Sequence, residues 1–293
     1  MSITTSNNTT TTPTQFLRGA RETYAYRRVG GGIRCPLICL QHFTGTLDNW
    51  DRAVIDPLAS EREIILFDSA GIGRSTGTVP TTVSGMAMHA LDFLDALGLT
   101  SCDVLGFSLG GMVAQQMAIE RPSIVRRMML VGTAPRGGDD IMHLDKPSLA
   151  VPLGDPTLKG YSVLQKIFFA PTSSSQAAGA AFIERLAERN EDFDKPSGSD
   201  IAVAQMTAFR EWEQKTATGF ADLGRIIQPT LVVNGVHDEM IPVRNSYRLI
   251  EGLANAMLLV YPDSGHGSLF QFHDSFTRQA AAFLASDSPF APF

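Results

Sequence analysis

An excess of positive charge is missing from this chain: lysine and arginine number 24 against 30 acidic residues in 293, a net of −6. Nothing therefore provides the electrostatic footprint that nucleic acid or an anionic lipid surface requires. Cysteine is scarce. Cys35, Cys39 and Cys102 are odd in number and lack the paired spacing and histidine company of a zinc site, so they read as buried thiols suited to a reducing compartment. No stretch approaches the roughly 18 consecutive apolar residues of a membrane span. The segment from Ser2 to Gln15 is rich in Thr, Asn and Ser and has neither the basic start nor the apolar run of a secretory signal, so the expectation is a cytoplasmic protein. A phosphate-cradling glycine loop followed by lysine is also absent, and Gly71-Ile72-Gly73 lacks the third glycine of a dinucleotide fingerprint. No nucleotide cofactor is implied.

What the chain does have is apolar residues, 44% against 18% charged, enough at this length to bury roughly 75% of the unfolded surface in a packed core. The length allows two domains or one α/β core with an insertion. Short runs rich in branched residues alternate with segments of helical period: Leu37–Leu40, Ile64–Phe67, Val104–Leu105, Met128–Val131, Leu231–Val233 and Leu258–Tyr261. That alternation predicts an α/β fold with a mostly parallel sheet covered on both faces. Before them, Thr23–Val29 reads as an antiparallel strand turning at Gly30-Gly31-Gly32 into the first central one. Met86, Ala90, Phe93, Leu94 and Leu97 recur at helical spacing, and Gly98 follows as a stop signal. From about Pro135 to Leu223 strands give way to helices and polar loops. Three apolar stripes there, Leu164/Ile167/Phe168, Phe182/Ile183/Leu186 and Met206/Phe209/Trp212, either bury one helix face each or line a pocket beneath a lid.

Gly106-Phe107-Ser108-Leu109-Gly110 matches the G-x-S-x-G nucleophile elbow, a pattern that is weak alone. Its context is informative: Asp103-Val104-Leu105 is a strand candidate upstream, and Met112 to Ala118 is a helix free of Pro and Gly downstream. A serine hydroxyl at neutral pH needs a base within hydrogen-bond reach, and that base needs a third group to orient it. Asp238 follows the run Leu231–Val233, and His266 follows Leu258–Tyr261, so both fall in loops at the carboxyl ends of strands, where reactive groups gather. Asp139 and Asp140, after Gly132, compete as the acid, but the Gly-x-His-Asp-x-x-x-Pro context favours Asp238. His237 beside Asp238 lacks a third ligand for a metal, and no metal site is expected. His89, His143 and His273 read as surface or structural histidines.

The order Ser108, Asp238, His266 resembles that of the α/β-hydrolase-fold serine hydrolases, in the branch of small esterases, lactonases and cofactor-free haloperoxidase-like perhydrolases. The resemblance runs from about Tyr24 to Leu284, and the insertion matches in position only. With residues 1–15 read from their composition as a disordered polar tail, it implies a core over 16–134 and 224–293 and an inserted helical lid over 135–223. Asp68-Ser69-Ala70-Gly71-Ile72-Gly73-Arg74-Ser75 resembles a further family segment, with Ala70 where arginine is usual, and implies a structural turn. Gln41-His42-Phe43-Thr44-Gly45 resembles the family's His-Gly-x-x-Gly segment, so the backbone N–H groups of Phe43 and Leu109 are the expected oxyanion donors. His42, in the place of the family's glycine, either contacts substrate or hydrogen-bonds within its loop. The implied activity is cofactor-free cleavage of a small, largely apolar carboxylic ester or lactone through an acyl-enzyme on Ser108. Perhydrolysis, carbon–carbon bond hydrolysis, a receptor with a residual triad, and a homo-oligomer all stay open.

Overall fold

The computed structural model describes residues 8–286. Eight strands form one sheet: β1 (Gln15–Arg18), β2 (Thr23–Gly30), β3 (Leu37–Leu40), β4 (Glu63–Phe67), β5 (Cys102–Phe107), β6 (Val125–Val131), β7 (Thr230–Gly235) and β8 (Ala256–Tyr261), in the order β1-β2-β4-β3-β5-β6-β7-β8. From β4 to β8 every pairing is parallel, while β1 and β2 add an antiparallel edge. Every residue of β3, β5 and β7 is buried. Successive side chains of a strand point to opposite faces, so those strands are covered on both sides.

The covering helices are α1 (Arg52–Ala59), α2 (Val83–Ala96), α3 (Leu109–Glu120), α4 (Pro147–Gly154), α5 (Ser162–Phe168), α6 (Ser173–Leu186), α7 (Ser199–Glu213), α8 (Arg244–Gly252), α9 (Ser268–Gln271) and α10 (His273–Ala285). Helix α1 packs on α10, and α2 packs on α3. The apolar stripe expected around Phe93 is α2; Thr82 caps its N-terminus through the Gly85 N–H, and Gly98 takes the left-handed φ, 72°, that ends many helices. The insertion between β6 and β7 consists of α4 to α7.

Two expectations need correction. Strand β2 does precede the first central strand, but it pairs with β1 and β4, and β3 lies one place further in, between β4 and β5. The chain leaves β3 toward β4 on one side and returns to β5 on the other, so the loops after β3 and β5 sit side by side at a crossover point, where open α/β sheets bind ligands. The polar tail is the second. Residues 1–7 lie outside the described residues, but Arg189, just past α6, donates to the carbonyl oxygens of Thr9, Thr10 and Thr12 at 3.0, 3.0 and 3.1 Å. Thr9 N–H also reaches Asp56 at 3.0 Å. A stretch whose composition suggests disorder is thus held by a distant arginine that takes up its backbone carbonyls, and β1 follows directly.

Candidate active site

Ser108 stands between β5 and α3 with φ 56° and ψ −117°, a conformation that L-residues adopt only under constraint. The constraint is local. Its N–H donates to Val131 O of β6 at 2.8 Å, and its carbonyl accepts from Gly111 N–H at 2.9 Å. Close approach of helix and sheet then demands glycine: a Cβ at Gly110 would stand 2.1 Å from the Leu40 carbonyl oxygen of β3. The elbow is therefore set by pairing on one side and by a missing side chain on the other.

Asp238 and His266 come together because their loops touch. His237 N–H donates to Ser264 O at 2.9 Å, and a Cβ at Gly235 would meet the Gly265 and Ser264 carbonyl oxygens at 2.2 and 2.3 Å. Asp238 Oδ1 accepts from the N–H groups of Met240 and Ile241, both at 2.9 Å, which fixes the carboxylate. Its Oδ2 lies 2.8 Å from His266 Nδ1. A carboxylate accepts, so Nδ1 carries the proton and Nε2 presents a bare lone pair. That Nε2 and the Ser108 Oγ are both buried and neither has a hydrogen-bond partner among the described residues. The ring lies close to the elbow: its centroid is 5.0 Å from that of Phe107, and a Cβ on Gly132, next to the Val131 that binds Ser108, would be 3.2 Å from His266 Cε1.

The loop after β3 lies alongside. Neither the Phe43 nor the Leu109 N–H donates to a protein acceptor among the described residues. His42 does bond within its own loop, Nδ1 to Phe43 O at 2.8 Å, with its N–H on Gln41 Oε1 at 2.9 Å. Its Nε2 is nevertheless buried without a partner. Burial is the main reason that the ring's pKa falls from the ordinary 6.5 to about 4; the bond to Phe43 opposes this, and nearby His266 adds to it. His42 is therefore neutral at pH 7, with Nδ1 the donor and Nε2 the acceptor.

The competing residues fall elsewhere. Asp139 pairs with Lys215 and Asp140 with Arg244, so neither reaches His266. His143 pairs with Glu213, His273 with Asp274, and His89 meets the Tyr24 hydroxyl. His237 is exposed. Among the described residues no group of three or more His, Cys, Asp or Glu could hold a metal ion, and no helix is long and apolar enough to cross a membrane. Cys39 and Cys102 are buried in β3 and β5, whereas Cys35, before β3, is half-buried.

Two contributions from the insertion escaped the sequence reading. Phe168 belongs to an apolar stripe, but its ring sits edge-on to His42 at 5.1 Å and to His266 at 5.4 Å, and its carbonyl accepts from Gly267 N–H at 2.8 Å. Gln205 of α7 accepts the Thr44 N–H at 2.6 Å, steadying the loop that carries Phe43. The stripes signalled burial; only tertiary contact reveals which members meet the site.

Comparison with known proteins fits this arrangement. A family model described as alpha/beta hydrolase fold matches residues 36–272. A solved alpha/beta hydrolase fold protein from Chitinophaga pinensis is 40% identical with a TM-score of 0.88, covering 95% of this chain and 99% of that one. By sequence, the chain is 27% identical over 253 residues to a putative carbamate hydrolase RutD of Pseudomonas savastanoi pv. phaseolicola, covering 85% of this chain and 93% of that protein. It is 30% identical over 241 residues to the 2-hydroxymuconate semialdehyde hydrolase of Pseudomonas sp. strain CF600, covering 81% of each.

Proposed function

We propose that this chain, which belongs to the alpha/beta hydrolase fold family, is a serine hydrolase that cleaves a small, largely apolar carboxylic ester or lactone. The observation that carries the reading is the pair of unpartnered atoms, Ser108 Oγ and His266 Nε2, buried at the carboxyl ends of the strands while Asp238 holds the opposite ring nitrogen. Ser108 Oγ attacks the carbonyl carbon as His266 Nε2 takes its proton. The negative oxygen that develops is met by the N–H groups of Phe43 and Leu109, each such donor contributing about 3 kcal/mol in the transition state. Collapse expels the alcohol, which takes the proton from His266. Water then attacks the acyl-enzyme by the same path, returning Ser108 and releasing the acid.

Helices α4 to α7 act in this reading as a lid, with Phe168 between substrate and bulk water. The test is labelling by a fluorophosphonate probe beside turnover of a chromogenic ester panel. Labelling that Ser108→Ala abolishes is expected, together with cleavage of short esters; an unlabelled protein that cleaves none of them overturns the proposal. A second reading at the same site is favoured by the relative named for 2-hydroxymuconate semialdehyde. That compound contains no ester, so its hydrolysis must break a carbon–carbon bond, and a ring-cleavage product offered in the same panel separates the two.

A further inference from the structure

The candidate nucleophile is sealed. Ser108 is 0% exposed and His266 1%, and Ser108 Oγ and His266 Nε2 have essentially no surface that a water molecule can touch. A carbonyl carbon therefore reaches Oγ only after something moves. The group best placed to move is the buried ring of Phe168, the last residue of α5. It stands edge-on to His42, His266 and Phe107 at 5.1, 5.4 and 5.6 Å. Phe107, next in sequence to Ser108, itself lies 5.5 Å from His42 and 5.0 Å from His266. One ring of the insertion thus closes over three that cluster around the elbow.

The backbone behind that ring is held, whereas the space beside the ring is open. Phe168 O accepts from Gly267 N–H at 2.8 Å, Ala170 N–H donates to Ser175 Oγ at 2.9 Å, and the Gln176 amide reaches the carbonyls of Phe169 and Ala170 at 3.2 and 3.1 Å. Helix α6 is tied to the core at both ends, by Thr172 to Asp263 at 2.7 Å and by Arg185 to Asp51 at 2.6 Å. Tyr161, Leu164 and Phe168 recur at i, i+3 and i+7, one face of α5. Tyr161 and Leu164 line a cavity of about 440 Å³ that His42 and Thr44 of the core also line. Phe168 packs on His42, so its ring stands where that cavity ends and the Ser108 site begins. A cavity of about 150 Å³ holds a benzene ring, so this one can take a displaced phenyl ring beside a substrate chain. We propose that Phe168 is a side-chain gate: the backbone stays, the ring swings toward the cavity, and substrate passes from the cavity to Ser108. The substrate's destination rests on the hydrolase reading above; the route and the gating residue are added to it.

A gate open in about 0.1–10% of molecules lowers every rate at the nucleophile by that fraction. Phe168→Ala should therefore raise the second-order rate of fluorophosphonate labelling about tenfold or more, and Phe168→Leu, which keeps most of the packing, should raise it less. Phe169→Ala removes an equal ring one residue away, packed on Phe182, and should leave the rate unchanged. Leu164→Trp, which fills the cavity, should slow labelling. A second readout needs no reactive serine: carbethoxylation of His266 by diethyl pyrocarbonate, mapped by mass spectrometry. It should be slow in the parent beside the exposed His237 and should rise in Phe168→Ala. If labelling fails while carbethoxylation of His266 rises in Phe168→Ala, the hydrolase reading falls and the gate stands. The gate is overturned if neither rate rises in Phe168→Ala or Phe168→Leu, if Phe169→Ala raises them equally, or if Leu164→Trp has no effect.

Discussion

The two ends of β5 treat buried polar groups in opposite ways. At its start, both oxygens of Asp103 are bonded: Arg126 Nε at 2.8 Å to one, Arg126 Nη2 and Arg62 Nη1 at 2.5 and 2.9 Å to the other. Just past its end, Ser108 Oγ is equally buried and bonds to nothing among the described residues, and His266 Nε2 and His42 Nε2 nearby are alike. One end of the strand uses a carboxylate to hold the fold and pairs both of its oxygens, although Arg62 Nη2 beside it has no partner among the described residues. The other leaves Ser108 Oγ and the two imidazole nitrogens without a protein partner among the described residues, at a cost to stability.

Changes at the two ends should therefore separate activity from stability. The largest effect belongs to Ser108→Ala, which should lower kcat on a chromogenic ester by on the order of 10⁴- to 10⁶-fold. Thermal unfolding should show no loss of stability, because the removed hydroxyl holds nothing. A variant that melts well below the parent would mean that Ser108 has a structural partner, and the contrast would fail. The reverse pattern is expected at Asp103→Ala, which leaves two arginines facing a vacated site. Urea unfolding should register about 3–5 kcal/mol of destabilisation, with kcat per folded molecule unchanged. Asp103→Asn sharpens this by keeping the shape and removing only the charge.

The legibility of these regions in sequence follows the range of the forces involved. The strand-turn-helix around Ser108 could be read because its determinants, Gly110 and the flanking runs, are local. Asp238 and His266 could be placed in loops after strands for the same reason, and the 2.8 Å contact between Asp238 and His266 matches that placement. Sheet order was not legible. Thr23–Gly30 is strand-like, but whether it sits beside β3 or β4 depends on pairing across distant residues. Strand β1, only Gln15–Arg18, is too short to display a period. The docking of Thr9 to Thr12 depends on Arg189, and the support of Thr44 on Gln205, partners that composition cannot assign. The same holds for Phe168, where the apolar stripe announces burial but the neighbouring rings decide its neighbourhood.

A smaller effect tests the unpaired end without any substrate. The His42 pKa is lowered by burial from the ordinary 6.5 to about 4, so between those values the unfolded chain binds a proton that the folded one does not. Stability then rises with pH across that window; on acidification the loss begins near pH 6.5, grows until about pH 4, and stops there. A shift of that size amounts to about 3 kcal/mol at most. The quantity to measure is the difference between the parent and His42→Phe in urea unfolding at several pH values, which cancels the groups the two proteins share. At pH 7 the folded His42 is neutral, and the difference reflects packing between Phe107 and Phe168 together with the lost bond from Nδ1 to Phe43 O. As the pH falls, the parent should lose ground against His42→Phe. Parallel pH profiles would mean that water reaches Nε2 and that the imidazole protonates in place; the unpaired atoms would then be ordinary solvated groups, and the contrast between the two ends of β5 would lose its physical basis.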